Sequence, residues 1–242
     1  MRMMVTVLLE KNTLPRDYRP WISRLFHAAL SRQGGEQMMQ QYFGSMAGKL
    51  FSFSVYLPKS RFGQEIVLES NYIKVIFSAY DENTFDDFFL AMMGMQGQRV
   101  DLEENTFQVS SVVRILEKTV QESKINIHML SPLVVRNGTA GKQESRGCLG
   151  VRDPEFEVHL RSTVAGMLSA ANLSADMLAS LHVAAGNELG CKEAHVIHKG
   201  RFYRSTLGNL QLCGEPVLLN LLYHGGMGEM REEGFGLFEL NT

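Results

Sequence analysis

The sequence predicts an α+β protein with two ferredoxin-like (RRM-like) domains in tandem, and three observations lead to this fold class. Residues 5–116 carry four strand patterns of period two and two helical apolar stripes, in the order βαββαβ of a ferredoxin-like unit. The same order begins again in residues 125–240, although the two halves show no sequence repeat. A glycine-rich stretch, residues 225–236, lies between the last predicted helix and the last predicted strand.

The first half contains the clearer set of elements. Strands are predicted at residues 5–9, 50–57, 72–79 and 107–116. Helices are predicted at residues 17–32 and 84–95, the first with an apolar stripe made of Trp21, Ile22, Leu25, Phe26 and Ala29. Gly34 and Gly35 should end the first helix, and residues 36–43 would form a short second one. Arg24 and His27 lie outside the apolar stripe.

The second half repeats the pattern with weaker strand signals. Strands are predicted at residues 125–135, 182–185, 193–198, 203–213 and 235–240. Helices are predicted at residues 156–171 and 216–223, the latter with Pro216 in its first turn. We place the domain boundary near residues 119–124, which gives an N-terminal domain over residues 1–122 and a C-terminal domain over residues 123–242.

Composition limits the class of protein. The chain of 242 residues is 45% hydrophobic, which excludes disorder, and its net charge of −2 restricts any nucleic-acid surface to a local patch. Three cysteines without a Cys-x-x-Cys pair favour a reducing compartment. The N-terminal apolar run is too short for a signal peptide or a membrane span. We therefore expect a cytoplasmic protein that needs no cofactor and does not bind membranes.

The glycine-rich stretch contains two Gly-hydrophobic-Gly groups, residues 226–228 and 234–236, separated by five residues. Glycines here could simply make a tight connection, or they could bring backbone N–H groups to a phosphate. The stretch lacks the Lys-Ser or Lys-Thr of a P-loop, and it follows a helix, whereas a dinucleotide-binding fingerprint follows a strand. Neither nucleotide-binding motif therefore accounts for it.

With its single basic residue, Arg231, this stretch resembles the glycine-rich loop of the repeat-associated RNA-binding proteins of CRISPR systems. Within that group the chain is most similar to the Cas-six family of CRISPR RNA-processing endoribonucleases. Three further segments agree in their order along the chain, namely residues 14–18 (Leu-Pro-Arg-Asp-Tyr), 49–54 (Lys-Leu-Phe-Ser-Phe-Ser) and 130–135 (Leu-Ser-Pro-Leu-Val-Val).

The resemblance implies a metal-independent endoribonuclease that cleaves precursor CRISPR RNA within its repeats and leaves a 2′,3′-cyclic phosphate. CRISPR repeat RNA would be the main partner, with CRISPR effector complex subunits and a homodimer as further partners. An alternative from another class is a non-catalytic RNA-binding subunit of a CRISPR effector complex with the same fold. A third reading is an unrelated two-domain RNA-binding module.

Candidate catalytic residues come from the first half of the chain. By its position alone, His27 fits a solvated surface histidine as well as a catalytic one. The resemblance implies that a histidine on or near this helix is the general base, and it makes His27 the leading candidate. Under the same resemblance, Lys49 would offset charge on the phosphorane, and Tyr42 and Ser45 would assist by hydrogen bonding.

The RNA-binding prediction rests on basic and aromatic residues and on the glycines. Lys199, Arg201 and Arg204 interleave with Phe202 and Tyr203, which suits phosphate contact and base stacking, although a charged hairpin edge would look the same. The complete set of predicted RNA-binding residues is Arg24, Ser45, Lys199, Arg201, Arg204, Gly226, Gly228, Arg231, Gly234 and Gly236.

No metal site is predicted from the seven histidines. His195 and His198 are three residues apart and would face opposite sides of a strand, and no carboxylate spacing completes a ligand set. Structural or surface roles account for His128, His159 and His182, and the end of a helix accounts for His224.

Overall fold

The fold was obtained as a computed structural model that describes residues 1–44, 49–102, 104–137, 147–185 and 190–241. Its described residues form two compact units. The first unit consists of the described residues within Met1–Met46 and Ser54–Glu117, and the second of those within Ala47–Phe53 and Lys118–Thr242. The domain boundary between residues 122 and 123 stays a prediction.

The first unit contains eight strands and two helices within its described part. In chain order these are β1 (Arg2–Leu9), β2 (Thr13–Pro15), α1 (Arg19–Met39), β3 (Phe51–Tyr56), β4 (Ser60–Phe62), β5 (Glu65–Leu68), β6 (Tyr72–Ala79), α2 (Glu82–Gly94), β7 (Arg99–Leu102) and β8 (Asn105–Ile115). Residues 51–53 of β3 are grouped with the second unit. The main sheet has the order β3-β6-β1-β8-β7, and β2-β5-β4 form a small sheet that was not predicted.

The core of the first unit lies between the main sheet and the helices. Along β1, every second residue from Met3 to Leu9 is buried, as a strand with one covered face requires. The predicted apolar stripe of α1 is also buried. Phe26 of α1 packs on Phe77 of β6 and Phe88 of α2, with ring centroids 5.6 and 5.5 Å away. The 3.6-residue period of the sequence therefore fixes which face of α1 covers the sheet.

The second unit repeats this topology. Its elements are β9 (Lys124–Met129), β10 (Val135–Arg136), β11 (Cys148–Leu149), α3 (Phe156–Ala170), β12 (His182–Ala184), β13 (Lys192–His198), β14 (Arg201–Leu207), β15 (Asn209–Cys213), α4 (Pro216–Gly225) and β16 (Phe238–Leu240). The four-stranded sheet has the order β12-β15-β9-β16. Along the chain, the hairpin β13–β14 is inserted between β12 and β15.

The predicted fold class is confirmed. In both sheets the four strands of the βαββαβ unit lie in the order second, third, first, fourth, which is the ferredoxin-like arrangement, and β7 extends the first sheet by one strand. The two helices of each unit fall where the apolar periodicity predicted them.

Several predicted boundaries are wrong, and the backbone shows why. Gly35 has a φ of 62° and kinks α1 without ending it, so the helix runs on into a π-helical turn, Gln40–Gly44. Gly208 has a φ of 92° and divides the predicted strand 203–213 into β14 and β15, which pair with different partners. The predicted strands 125–135 and 235–240 are shorter, ending at Met129 and beginning at Phe238.

Candidate functional site

The glycine-rich stretch is packed inside the second unit, where its backbone takes conformations that disfavour a side chain. The φ angles are 80° at Gly226, 73° at Gly228, 87° at Gly234 and 73° at Gly236. Space is restricted as well. A Cβ atom at Gly236 would lie 1.8 Å from the carbonyl oxygen of Met227.

Two further positions show the same close approach. A Cβ atom at Gly228 would lie 2.4 Å from the carbonyl oxygen of Val134, and one at Gly234 would lie 2.5 Å from the ring of Phe53. Contacts at such distances require the neighbouring backbone or ring to move. Packing within the unit is therefore sufficient to explain these glycines, as in the simpler of the two sequence-based interpretations.

Amide groups of the stretch donate to the protein itself. The N–H of Gly226 donates to the carbonyl of Leu222 and that of Gly236 to the carbonyl of Pro132, each over 2.9 Å. The N–H of Met227 donates to the carbonyl of Gly236 over the same distance. A phosphate contact by Gly226 or Gly236 stays a prediction, and it would require these hydrogen bonds to open.

Arg231, the basic residue of the stretch, is buried rather than presented at a surface. Its side chain donates to the carbonyl oxygens of Gly228 and Lys49, the latter over 2.9 Å, and only 8% of the residue is exposed. Burial lowers the pKa of the guanidinium. The arrangement gives Arg231 a structural role in holding the stretch, so its predicted RNA contact remains untested.

Lys49 lies beside the same stretch. Its Nζ atom is 3.8 Å from a carboxylate oxygen of Glu232, and 11% of its side chain is exposed. This ion pair ties the Lys49 side chain to the glycine-rich stretch within the second unit. His27 and Tyr42 belong to the first unit.

Glu233 connects the glycine-rich stretch to the turn of the β13–β14 hairpin. Its carboxylate contacts Nε2 of His198, which is 1% exposed, and accepts a 2.6 Å hydrogen bond from Nζ of Lys199. Burial raises the pKa of Glu233, but the hydrogen bonds from His198 and Lys199 outweigh it and lower the pKa to about 2. The cluster therefore favours the ionised carboxylate.

Glu233→Gln is expected to lower the free energy of unfolding at neutral pH by up to about 3 kcal/mol, because each unit of pKa shift corresponds to about 1.4 kcal/mol. The pKa falls from 4.5 to about 2 on folding, so the contribution is complete above pH 4.5 and is lost as the pH falls towards 2. Urea unfolding across this pH range measures it. Wild type should lose more stability on acidification than Glu233→Gln, with Glu239→Gln, at an exposed position of β16, as the control. The same loss of stability between pH 4.5 and pH 2 in all three proteins would contradict this role of Glu233.

The predicted basic and aromatic residues of the hairpin differ in their exposure and in their partners. Phe202 is 54% exposed and Arg201 is exposed, whereas Tyr203 is buried. Arg204 donates to Asp153 over 2.5 Å and to Glu193 over 2.7 and 2.8 Å.

The two carboxylates bind most of the donors of Arg204. The hydrogen bonds that Arg204 donates to Glu193 and Asp153 raise its pKa further above the ordinary value. A phosphate would have to displace these carboxylates, so we expect Arg204 to hold the hairpin in place rather than to contact RNA.

The first unit places His27 and Tyr42 in different environments. His27 is half-buried on α1, and its ring meets that of Phe43 edge-on at 4.1 Å between centroids. Tyr42 is 4% exposed, and its Oη donates a 2.5 Å hydrogen bond to Asp87. Burial and the bond to Asp87 raise the pKa of Tyr42, which disfavours proton loss from its hydroxyl. Arg24 is exposed on α1, and Ser45 lies outside the described residues.

Sequence reasoning missed two of these features. The His198–Glu233 pair joins residues 35 positions apart, and the Tyr42–Asp87 bond joins residues 45 positions apart. Neither pair has a local spacing signal. The acidic residues between the two glycine groups were the one available hint, since they need cationic partners when partly buried.

In the part of the chain that the structure describes, no group of three His, Cys, Asp or Glu side chains is placed to hold a metal ion. Among the same residues, no helix is both long and apolar enough to cross a membrane.

Comparisons with known proteins agree with the fold. A structure titled as an RAMP protein binding different RNA substrates superposes with a TM-score of 0.84 at 19% identity, with full coverage of both chains. A Cas6-related protein from Pyrococcus furiosus gives 0.85 at 17% identity, covering all of this chain and 98% of the other. A Cas6 product complex gives 0.72 at 16% identity, with full coverage of both chains. At these identities the likeness concerns the fold.

A search of curated protein sequences gives no match. The model of the CRISPR-associated protein Cas6 C-terminal domain matches residues 115–240, which is just over half of the chain. This match includes both the inserted hairpin and the glycine-rich stretch. The chain therefore belongs to the Cas6 family of CRISPR-associated proteins, the Cas-six family that its glycine-rich stretch resembles.

Proposed function

We propose that this protein is an endoribonuclease that cleaves precursor CRISPR RNA within its repeats without a metal ion. The match of residues 115–240 to the Cas6 model carries the proposal. The half-buried His27 of the first unit adds an imidazole, the commonest general acid or base in enzymes, outside the buried apolar stripe of its helix. Two structures with this fold are described as Cas6 product complexes, which supports an RNA-cleaving role.

The proposed reaction is an internal transesterification. His27 removes the proton of a ribose 2′-OH, the 2′-oxygen forms a bond to the adjacent phosphorus, and the bond from phosphorus to the 5′-oxygen breaks. The leaving oxygen takes up a proton and becomes a 5′-OH, while the other product ends in a 2′,3′-cyclic phosphate. Lys49 would offset the charge that develops on the phosphorane.

Tyr42 has a smaller part in this proposal than its sequence position suggested. Its hydroxyl is buried and donates to Asp87, and the raised pKa opposes a role as a base. We assign it to positioning the segment that carries Phe43, whose ring packs against His27. The catalytic proposal therefore rests on His27 and Lys49.

RNA contact is proposed for the exposed side of the β13–β14 hairpin. Lys199 and Arg201 lie at its turn, and the exposed ring of Phe202 is available for stacking with a base. Arg24 of the first unit is a third exposed cation in the proposal. CRISPR effector subunits or a second copy of the chain as partners, and a cytoplasmic location, remain part of the proposal.

Arg201→Ala is expected to weaken binding of repeat RNA and to reduce the slope of log affinity against log salt by about 0.7, the value for one phosphate contact to a single strand. Filter binding or gel-shift titration at several salt concentrations gives the slope. Lys192→Ala, which removes an exposed cation at the other end of the hairpin, is the control.

Arg204→Ala completes the comparison. Because Arg204 is bound by Asp153 and Glu193, its loss should lower the thermal unfolding midpoint and leave the salt slope unchanged. Equal salt slopes for Arg201→Ala and wild type would remove the hairpin turn from the RNA path.

A non-catalytic RNA-binding subunit is the second candidate function. The bond of Tyr42 to Asp87 and the raised pKa of Tyr42 favour it, because they withdraw one of the three predicted catalytic side chains from proton transfer. The deciding experiment incubates the protein with its CRISPR repeat RNA in excess EDTA. Cleavage to a 2′,3′-cyclic phosphate supports the first proposal. Tight binding without cleavage supports the second, and cleavage only after addition of a divalent metal overturns the proposed chemistry.

A further inference from the structure

The first unit contains a cavity of about 340 Å³ that involves none of the residues proposed above for catalysis or RNA contact. It lies where β2 pairs with β5, next to the beginning of α1 and the start of β8. Trp21, Leu14 and Pro15 provide apolar walls, and Lys11, Glu65 and Glu104 provide charged groups at the rim. Its size is in the range of cavities that bind small ligands.

The backbone around the cavity is held in place by Asn105. The side-chain amide of Asn105 donates to the carbonyl oxygens of Lys11 and Thr13, each over 2.9 Å. Its oxygen accepts from the N–H groups of Lys11 and Thr106 over 3.0 and 2.9 Å. With all its hydrogen-bonding capacity used, Asn105 fixes the wall of the cavity before any ligand enters, which lowers the cost of binding.

The indole N–H of Trp21 is a separate observation that indicates a ligand. The residue is 8% exposed and packs edge-on against Phe107, with ring centroids 5.9 Å apart. Among the described residues its indole N–H has no acceptor, yet its nitrogen is not one of the side-chain atoms that are sealed from solvent. An indole this deeply buried usually has a hydrogen-bond partner, and a ligand in the cavity that Trp21 lines would supply one.

Three exposed charged residues line the cavity. In the described parts of the chain, the side chains of Lys11, Glu65 and Glu104 make no hydrogen bond or ion pair. The cavity thus combines a flat aromatic and apolar wall with two donors, from Lys11 and Trp21, and two carboxylate acceptors. A matching ligand is planar and carries a pair of adjacent donors and a pair of acceptors.

We propose that this cavity binds a guanine base. Guanine presents two neighbouring donors, N1–H and the N2 amino group, which a carboxylate can accept together. It also presents O6 and N7 as acceptors for the ammonium group or the indole N–H. Adenine has one exocyclic amino group beside an acceptor, and uracil has one N–H between two carbonyls, so neither offers paired donors to a carboxylate.

The guanine could belong to a single-stranded segment of RNA or to a free nucleotide. A base in RNA rests on the proposed function, because single-stranded RNA is recognised through bases that are splayed out of the stack. A free nucleotide does not rest on it. The base chemistry is the same in both cases, and the experiment separates the two sources.

Trp21 is the one tryptophan of the chain, so its fluorescence reports on this cavity directly. The full-length protein is titrated with the 5′-monophosphates of guanosine, adenosine, cytidine and uridine, with excitation at the red edge of tryptophan absorption. We expect a saturable change with the guanosine nucleotide alone, and binding weaker by about tenfold or more in Glu65→Gln or Glu104→Gln. Glu69→Gln removes a nearby exposed carboxylate outside the cavity and should bind like wild type.

A second arm compares short single-stranded RNAs with a single guanosine, inosine or adenosine in a uridine background. Inosine lacks the N2 amino group, so guanosine should bind more tightly than inosine and adenosine. A response to the free nucleotide but not to RNA assigns the cavity to nucleotides. The same response to all four nucleotides, no response, or unchanged binding in both glutamate variants would overturn the proposal. None of these outcomes depends on RNA cleavage.

Discussion

Gly236→Ala is expected to lower the free energy of unfolding by more than about 3 kcal/mol, one of the largest effects available from a single methyl group in this chain. A Cβ atom at this position would lie 1.8 Å from the carbonyl oxygen of Met227. That same residue donates its N–H to the carbonyl of Gly236, so the clash falls on a backbone pair that cannot separate without losing a hydrogen bond. Urea unfolding of the variant and of wild type measures the difference.

Gly200→Ala is the matched control for this prediction. Gly200 has a φ of 72°, against 73° for Gly236, and a Cβ atom there would have no atom within 4 Å. Both variants belong to the second unit and share the cost of a side chain at positive φ, which is about 1 kcal/mol. Only Gly236→Ala adds the clash. Equal losses of stability would show that the glycine-rich stretch is looser than its packing indicates.

His27→Ala is expected to reduce the rate of repeat cleavage by about a hundredfold to ten-thousandfold, the usual cost of losing a proton-transfer group. Affinity for repeat RNA should change little, because binding is proposed to depend on the hairpin. The variant should also fold, since His27 lies outside the buried stripe of α1 and alanine favours a helix more than histidine does. Single-turnover cleavage measured beside a gel-shift titration separates rate from affinity.

His159→Ala is the matched control for His27→Ala. His159 is also a half-buried histidine within a helix, α3, and it has no proposed part in the reaction. Its replacement should leave the cleavage rate unchanged. A wild-type rate in His27→Ala would show that another residue is the base. Equal losses of rate in both variants would show a general effect of removing a half-buried histidine side chain from a helix. The edge-on contact of His27 with Phe43 makes a small loss of stability the expected side effect.

Elements with a strong local period could be predicted from the sequence. The strand over residues 72–79 was predicted with its observed bounds, because an apolar residue occupies every second position from Ile73 to Ala79. Pro216 marked the first turn of α4 correctly. The order of the strands in both sheets follows from the βαββαβ connections, since few topologies join such elements without crossing.

The state of the candidate site residues could not be predicted, because long-range pairs decide it. Nothing near Arg204 in the sequence shows that Asp153, 51 positions away, binds its guanidinium. Likewise the sequence predicts that Arg231 is an exposed cation in a loop. Its buried side chain instead donates a hydrogen bond to the carbonyl of Lys49, 182 positions away. Spacing rules describe neighbours on one helix or strand, and they do not reach contacts that form only when distant segments pack.

Both outer strands of the second sheet, β12 and β16, are only three residues long. An outer strand exposes unpaired N–H and C=O groups, which can recruit another chain and start aggregation. Three residues offer few such groups, and the middle residue of β16, Glu239, adds an exposed charge that repels a second copy. Continuous sheets across two copies are therefore disfavoured at this unit. Self-association, where it occurs, should use side-chain surfaces, and concentrated solutions should resist fibril formation through these edges.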